Sequence, residues 1–435
     1  MAMKDAKIEK IDETSFKLDK ESKTFIITKK FKSLNLQVGD SVKYEIKGPN
    51  INIEKSTETT KTNNNGGGRT GTGYGHGTTE IKGDTNQFIY PFNFVSLGDE
   101  NEIEESRGPI KKGDYSGKIV CTLTNLTPIS IGSEKSTEFI KFKDKYVIPA
   151  SSLKGEVRNI VEILTTSCIK NIKEKHLYNK IPEKFKPCKN TEHLCFACRL
   201  FGSTGNDMEE ISVSQNSYRG RVFFSDAVIN KNVNTLTLSF LLGGPRVEEG
   251  EAAMKRFYTT SSGKIRGRKF FWHQKKLFSK NNLAGDFPQS SKKVMSTVSC
   301  IDINHEFKFE VHFEKLTAEE LGVLVYALEL EKGLLHKFGR AKAYGFGSCE
   351  IKVKDVLLDN TDKYQSFISS TTKDIKFLDD IKKKYINSTK NHINELKAIL
   401  AQVNKVSLGY PKPFPDRNAL NKFKGKTLPK ILEYK

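Results

Sequence analysis

The sequence predicts an α+β protein whose main body is a ferredoxin-like β-α-β-β-α-β sheet. Two strand–helix units carry that expectation. In the later one, Phe307, Phe309, Val311 and Phe313 alternate with Lys308, Glu310, His312 and Glu314, the period of a strand buried on one face. Thr317-Ala-Glu-Glu320 then supplies a helix cap with a carboxylate three residues on, and the helix runs through Leu330. A Gly-rich stretch follows, and Ser348 to Val353 return as a strand. In the earlier unit, Lys118 to Thr124 reads as a strand. Val147 to Leu153 then leads into a helix from Ser152 to Leu164, with Leu153, Val157, Ile160, Val161 and Leu164 on one face.

The flanks differ from this core, which is placed at residues 87–355. Residues 1–57 read as a small β module of the OB or cold-shock kind, from the β-rich runs Thr24 to Thr28 and Ser41 to Ile46 and the turn Val38-Gly-Asp40. Its role stays open between nucleic-acid contact and docking. Residues 58–86, rich in Gly, Asn and Thr, bury too little apolar surface to offset chain entropy and read as a flexible linker. Residues 356–435 carry an amphipathic helix from Asp374 to about Lys405, marked by Leu378, Ile381, Tyr385, His392, Ile393, Leu396, Leu400 and Val403, and then a basic tail. That helix packs on the body or offers a partner surface.

The formal charge is +20 over 435 residues. An excess of that size points to a polyanion, because phosphate neutralisation by Lys and Arg dominates nucleic-acid affinity. Between Lys255 and Lys276 there are eight Lys or Arg and no acid, interleaved with Phe257, Tyr258, Phe270, Phe271 and Trp272. Cations beside aromatic faces suit phosphates and unstacked bases together. No apolar stretch of about 18 residues and no signal-peptide pattern is found, so a cytoplasmic protein is expected, with neither membrane span nor export.

Residues Leu334 to Ile351 read LLHKFGRAKAYGFGSCEI. Gly339, Gly345 and Gly347 let the backbone approach a ligand, Arg340 and Lys342 add charge, and Tyr344 offers a stacking face. The stretch lacks the G-x-x-x-x-G-K-[ST] form, which disfavours nucleoside triphosphates. Ser151 and Ser152 open a helix whose amides can receive a phosphate or simply be capped, and Lys154 and Arg158 extend the charge along it. Asp226 reads as a structural turn carboxylate. Cys195 and Cys198 form C-x-x-C with Cys188 seven residues earlier. These suit a structural Zn²⁺, with His176 as the first choice for fourth ligand and Cys168 and His193 behind it. Redox use or unligated buried thiols are the alternatives. Cys121, Cys300 and Cys349 need no special role.

Four segments in order, Ile148 to Arg158 (IPASSLKGEVR), Cys195 to Ser203 (CFACRLFGS), Arg221 to Ala227 (RVFFSDA) and the loop from Gly339 to Gly347, together resemble the RAMP superfamily of type III CRISPR effector complexes. The look-alike branch has a YPFNFV-like segment, here Tyr90 to Val95, and a G-R-K-F-F-W-H block, here Gly267 to His273. The resemblance implies an RRM-like core holding CRISPR RNA, with target RNA and other effector subunits as partners. It also implies a zinc clip at about 165–205 and a basic aromatic insertion at about 243–300. The RNA contacts it implies are Ser151, Ser152, Lys154, Arg158, Arg266, Arg268, Lys269, Trp272, His273, Gly339, Arg340, Lys342, Tyr344, Gly345 and Gly347.

Some members cut target RNA with an Asp between the first strand and first helix. Here that loop, Ile129 to Lys145, offers Glu134, Glu138 and Asp144, of which Asp144 and Glu138 are the candidates, and Mg²⁺ enters only with such cleavage. His273 has a possible acid–base role in guide processing set against stacking or packing. A non-catalytic RNA-binding subunit is the favoured reading. Its alternatives are an endoribonuclease acting on target or precursor guide, and a basic docking subunit with little RNA contact.

Overall fold

A computed structural model describes residues 4–11, 15–18, 24–26, 41–47, 50–55, 91–132, 137–170, 175–204, 217–229, 233, 235–241, 258–274, 295–359, 375–403 and 430–434. The expected linker at 58–86 and nearly all of the basic tail lie outside them. The chain divides into residues 1–77 and 78–435.

In the first unit, β1 (Lys4–Ile11), β2 (Ser15–Leu18), β3 (Thr24–Ile26), β4 (Ser41–Lys47) and β5 (Asn50–Lys55) form an antiparallel sheet in the order β3-β2-β1-β4-β5. Ile8, Leu18, Val42 and Tyr44 are buried in it.

The second unit is built on β7 (Tyr115–Asn125), which lies between β18 (Glu306–Leu316) and β20 (Ser348–Leu358) and is antiparallel to both. The far side of β18 takes β12 (Val222–Phe224) and β13 (Ala227–Val228), also antiparallel. Beyond β13 lies the hairpin of β8 (Lys141–Phe142) and β9 (Lys145–Ile148), and β19 (His336–Lys337) edges β20. The period-two pattern of β18 is realised: Phe307, Phe309, Val311 and Phe313 are buried. Each such side chain contributes roughly 1.5–3 kcal/mol by leaving water. The opposite face is charged and paired, as in Lys118–Glu310 at 2.8 Å and Lys352–Glu350 at 3.2 Å.

Two helices cross the buried face. The helix α2 (Ala150–Leu164) buries Leu153, Val157, Ile160, Val161 and Leu164, and α5 (Ala318–Glu329) buries Leu321, Leu324 and Leu328 in the same core. The capping box of α5 forms as the sequence predicts, with Thr317 Oγ1 accepting from the Glu320 amide at 3.2 Å and Glu320 Oε2 from the Thr317 amide at 3.0 Å. Glu320 also pairs with buried Arg221. Preceding these are β6 (Phe92–Val95) and α1 (Glu100–Ser106). Later come α3 (Lys175–Tyr178), α4 (Phe196–Phe201), β10 (Gly202–Thr204), β11 (Ser217–Arg219), β14 (Thr235–Leu241), β15 (Arg268–Phe271), β16 (His273–Gln274) and β17 (Met295–Ile301).

The helix expected over 374–405 is two helices, α6 (Phe377–Ile386) and α7 (Asn391–Leu400). Asn387, Ser388 and Thr389 interrupt it, polar side chains that compete for backbone groups, and Lys390 is extended. Tyr385 of α6 packs on Tyr326 with ring centres 5.1 Å apart, while α7 buries Ile393, Leu396 and Ile399.

Candidate nucleic-acid interface

A cleft of about 590 Å³ runs between α2 and the Gly-rich loop. On α2, Ser151, Gly155, Arg158, Asn159 and Glu162 fall three or four residues apart and therefore line one side. The facing wall is Phe338, Gly339, Arg340 and Lys342, with Ile131 and Gly132 between. Gly339 has φ +78°, and a Cβ there would sit 2.2 Å from the Ser130 carbonyl oxygen. Gly347 has φ +73°, and its Cβ would meet the Phe338 carbonyl oxygen at 1.8 Å. Glycine is required at both, because the loop is pressed onto the segment that follows β7 at Gly339 and folded back onto its own Phe338 at Gly347. The Arg340 amide donates to Ser130 O and the Gly347 amide to Pro128 O, both at 2.9 Å.

Beneath the loop lies Lys337, fully enclosed. Its Nζ donates to the Gly345 carbonyl at 3.0 Å and to Ser348 Oγ at 2.9 Å. Burial pushes its pKa down to about 7, so near neutral pH it is only partly charged. His273 Nδ1 lies 2.9 Å from the same Ser348 Oγ, and burial, with Lys337 nearby, holds this imidazole neutral far below its usual range. The cleft lining carries Arg158, Lys170, Arg268, Lys337, Arg340 and Lys342 against Glu156 and Glu162. Both carboxylates are engaged. Glu156 accepts from the Lys337 amide at 3.0 Å, and Glu162 bridges Arg158 at 2.8 Å and Arg268 at 2.5 Å.

Of the residues singled out in the sequence, the cleft gathers Ser151, Ser152, Arg158, Arg268, Gly339, Arg340 and Lys342. Arg158 and Arg268 spend their donors on protein groups, and Arg268 is buried. Lys154 on α2 is half-buried, and burial, then Arg158, lowers its pKa. Asp226 accepts from the Ala150 amide at 2.8 Å, so a carboxylate already occupies part of the α2 N-terminus. Tyr344 is half-buried against the cluster of Val298, Cys300 and Phe346, and Gly345 and Gly347 are buried.

The basic aromatic stretch is in part a buried strand. β15 pairs with β6, so Arg268–Phe271 and Phe92–Val95 of the two segments are strand partners, and Phe270 and Trp272 turn into the core. Trp272 is 5% exposed and His273 0%, leaving neither a face for a base. Lys269 Nζ stands 3.8 Å above the Phe92 ring and 3.1 Å from Tyr258 Oη, with burial lowering its pKa to about 8. Arg266 sits over Phe94 at 5.8 Å. Lys255 to Phe257 and Lys275 to Lys276 lie outside the described residues.

Neither candidate carboxylate for cleavage lines the cleft. Asp144, at φ +61°, forms with Lys143 the turn of the β8–β9 hairpin and is exposed, and Glu138 is exposed beside Phe139.

Cys168, Cys188, Cys195 and Cys198 gather into one buried cluster, every sulfur within 4.8 Å of the others. Cys168 is the fourth sulfur; His176 lies on α3, but its side chain falls outside the described residues, and His193 is exposed. Sγ–Sγ separations are 3.6 Å for Cys168–Cys198 and Cys195–Cys168, and 3.9 Å for Cys188–Cys168. Tetrahedral bonds of about 2.3 Å to a central Zn²⁺ put sulfurs about 3.8 Å apart, so the donor set fits such an ion. Lys337, Lys170 and Glu162 were missed in the sequence. Only the proximity of Lys337 to the Gly-rich loop pointed toward any of them.

No helix among the described residues is long and apolar enough to cross a membrane. The family model described as the RAMP superfamily matches residues 122–350, just over half of the 435-residue chain. No curated protein matches it.

Proposed function

The chain belongs to the RAMP superfamily, and on that premise we propose that it is an RNA-binding backbone subunit of a type III CRISPR ribonucleoprotein. Membership suggests a CRISPR-associated, RNA-binding role. The observation that carries the finer reading is the cleft, where Arg340 and Lys342 on a glycine-shaped loop face Ser151 and Ser152 on α2. In this reading single-stranded guide RNA lies along it, phosphates against the two cations and the serine hydroxyls, while Glu162 keeps Arg158 and Arg268 as fixed walls. The charge of +20 favours the same partner.

The strand order β20-β7-β18-β12, antiparallel throughout and with α2 and α5 as its crossovers, supports a ferredoxin-like core within residues 87–355. The cysteine cluster serves there as a structural zinc clip. Residues 1–57 form a separate β module, and other effector subunits pack along the guide.

The test is fluorescence anisotropy of the full chain with a labelled single-stranded RNA across a salt series. Log affinity should fall with log salt by about 0.7 per phosphate contact. Replacing Arg340 and Lys342 together by Ala should remove about one unit or more of that slope. A flat salt dependence, or a double variant that keeps the wild-type slope, refutes the reading.

A further inference from the structure

We propose that Arg158 couples a metal ion in the four-cysteine centre to the occupant of the cleft. The same guanidinium serves both. Its Nη2 lies 3.6 Å from Cys198 Sγ, its Nη1 donates to the Gly202 carbonyl at 3.1 Å, and its Nε to Glu162 Oε1 at 2.8 Å, while the residue also lines the cleft. Arg268 completes the bridge: Nη1 bonds Glu162 Oε2 at 2.5 Å, and Nη2 bonds the Ser167 and Cys168 carbonyls, both at 2.8 Å.

Charge decides the direction. Four thiolates around a divalent ion leave two negative charges in a buried place. Arg158, Arg268 and Glu162 sum to one positive charge and lie against it. Arg158 is thus the outer donor to a metal-bound sulfur, and outer partners of this kind typically set 10–100-fold of metal affinity. A phosphate chain held at Arg340 and Lys342 attracts the same fixed cation through space, since Arg158 lines that cleft too. Metal and polyanion therefore oppose each other, and by thermodynamic linkage each lowers the affinity of the other by one common factor. The polyanion half rests on the function proposed above; the metal half does not.

Zinc affinity of the full chain is measured by competition with a chromophoric chelator, alone and with saturating single-stranded RNA. The wild type should hold one Zn²⁺. Arg158→Met should bind it 10–100-fold more weakly, Arg158→Lys should recover part of the loss, and Lys383→Met on α6 should match the wild type. RNA should weaken zinc several-fold in the wild type and not in Arg158→Met. Equal zinc affinity in wild type and both Arg158 variants overturns the proposal, as does a protein that holds no zinc. If Arg158→Met fails to fold, the Arg158→Lys comparison decides. RNA that binds without changing zinc affinity overturns the coupling. RNA that does not bind at all sinks the functional reading and the coupling with it, while the variants still decide the metal role of Arg158.

Discussion

Replacing Lys337 by Met should flatten the rise of stability with pH. The native pKa of Lys337 is near 7 and its unfolded value about 10.4. Between these values the unfolded chain holds a proton that the folded chain has released, so folding is favoured as pH rises. From pH 7 to 8.5 this group alone adds roughly 1.6 kcal/mol. Lys269, near 8 in the folded state, adds about half as much with the same sign. The window is chosen for its neighbours. Below pH 7 the neutral native His273 contributes a further rise as the unfolded imidazole titrates. From about pH 8 upward the thiols of Cys121 and Cys300, pushed up to about 12 and about 11, keep protons that the unfolded chain loses, which offsets part of the rise equally in both proteins. Urea unfolding at half-unit pH steps reads the effect. Wild type should gain about 1.6 kcal/mol more across the window than Lys337→Met. Equal gains in the two proteins would show that Lys337 stays charged beneath the loop.

Gly347→Ala places a Cβ 1.8 Å from a backbone oxygen at positive φ, and should cost roughly 2 kcal/mol or more together with RNA affinity, read by thermal unfolding and anisotropy. Gly155→Ala on α2 meets nothing within 4 Å and should instead stabilise by about 0.5–1 kcal/mol in the same melt. Glu320→Gln leaves the Arg221 charge buried without its partner and should cost about 3–5 kcal/mol in urea unfolding. Trp272→Ala should lose about 3–5 kcal/mol to a cavity. RNA affinity per folded molecule should then stay unchanged; a selective loss of affinity would restore Trp272 as a stacker.

The strands and caps were legible because their signals are local. The alternation from Phe307 to Phe313 and the Thr317–Glu320 pair act within a few residues, and both appear as read. The glycines of the loop were legible as freedom, but the reason at Gly339, a carbonyl at Ser130 pressed against it, depends on a segment some 210 residues earlier. The burial of Trp272 was hidden for the same kind of reason. Cations beside rings describe a surface stripe and a strand equally well, and only pairing with Phe92 to Val95 turns Phe270 and Trp272 inward. Cys168 was outranked because its spacing of 20 residues from Cys188 has no motif, although the end of α2 delivers it to the cluster.

The place of β7 governs how the chain can be made. Its partners end at residues 316 and 358, whereas β7 itself is complete at residue 125. At about 5–20 residues per second, a ribosome needs roughly 10–50 s to supply both. During that delay the apolar side of β7 has no sheet to join, so the nascent chain must be shielded until its second half emerges. Truncation before residue 348 leaves that strand without one of its two flanks.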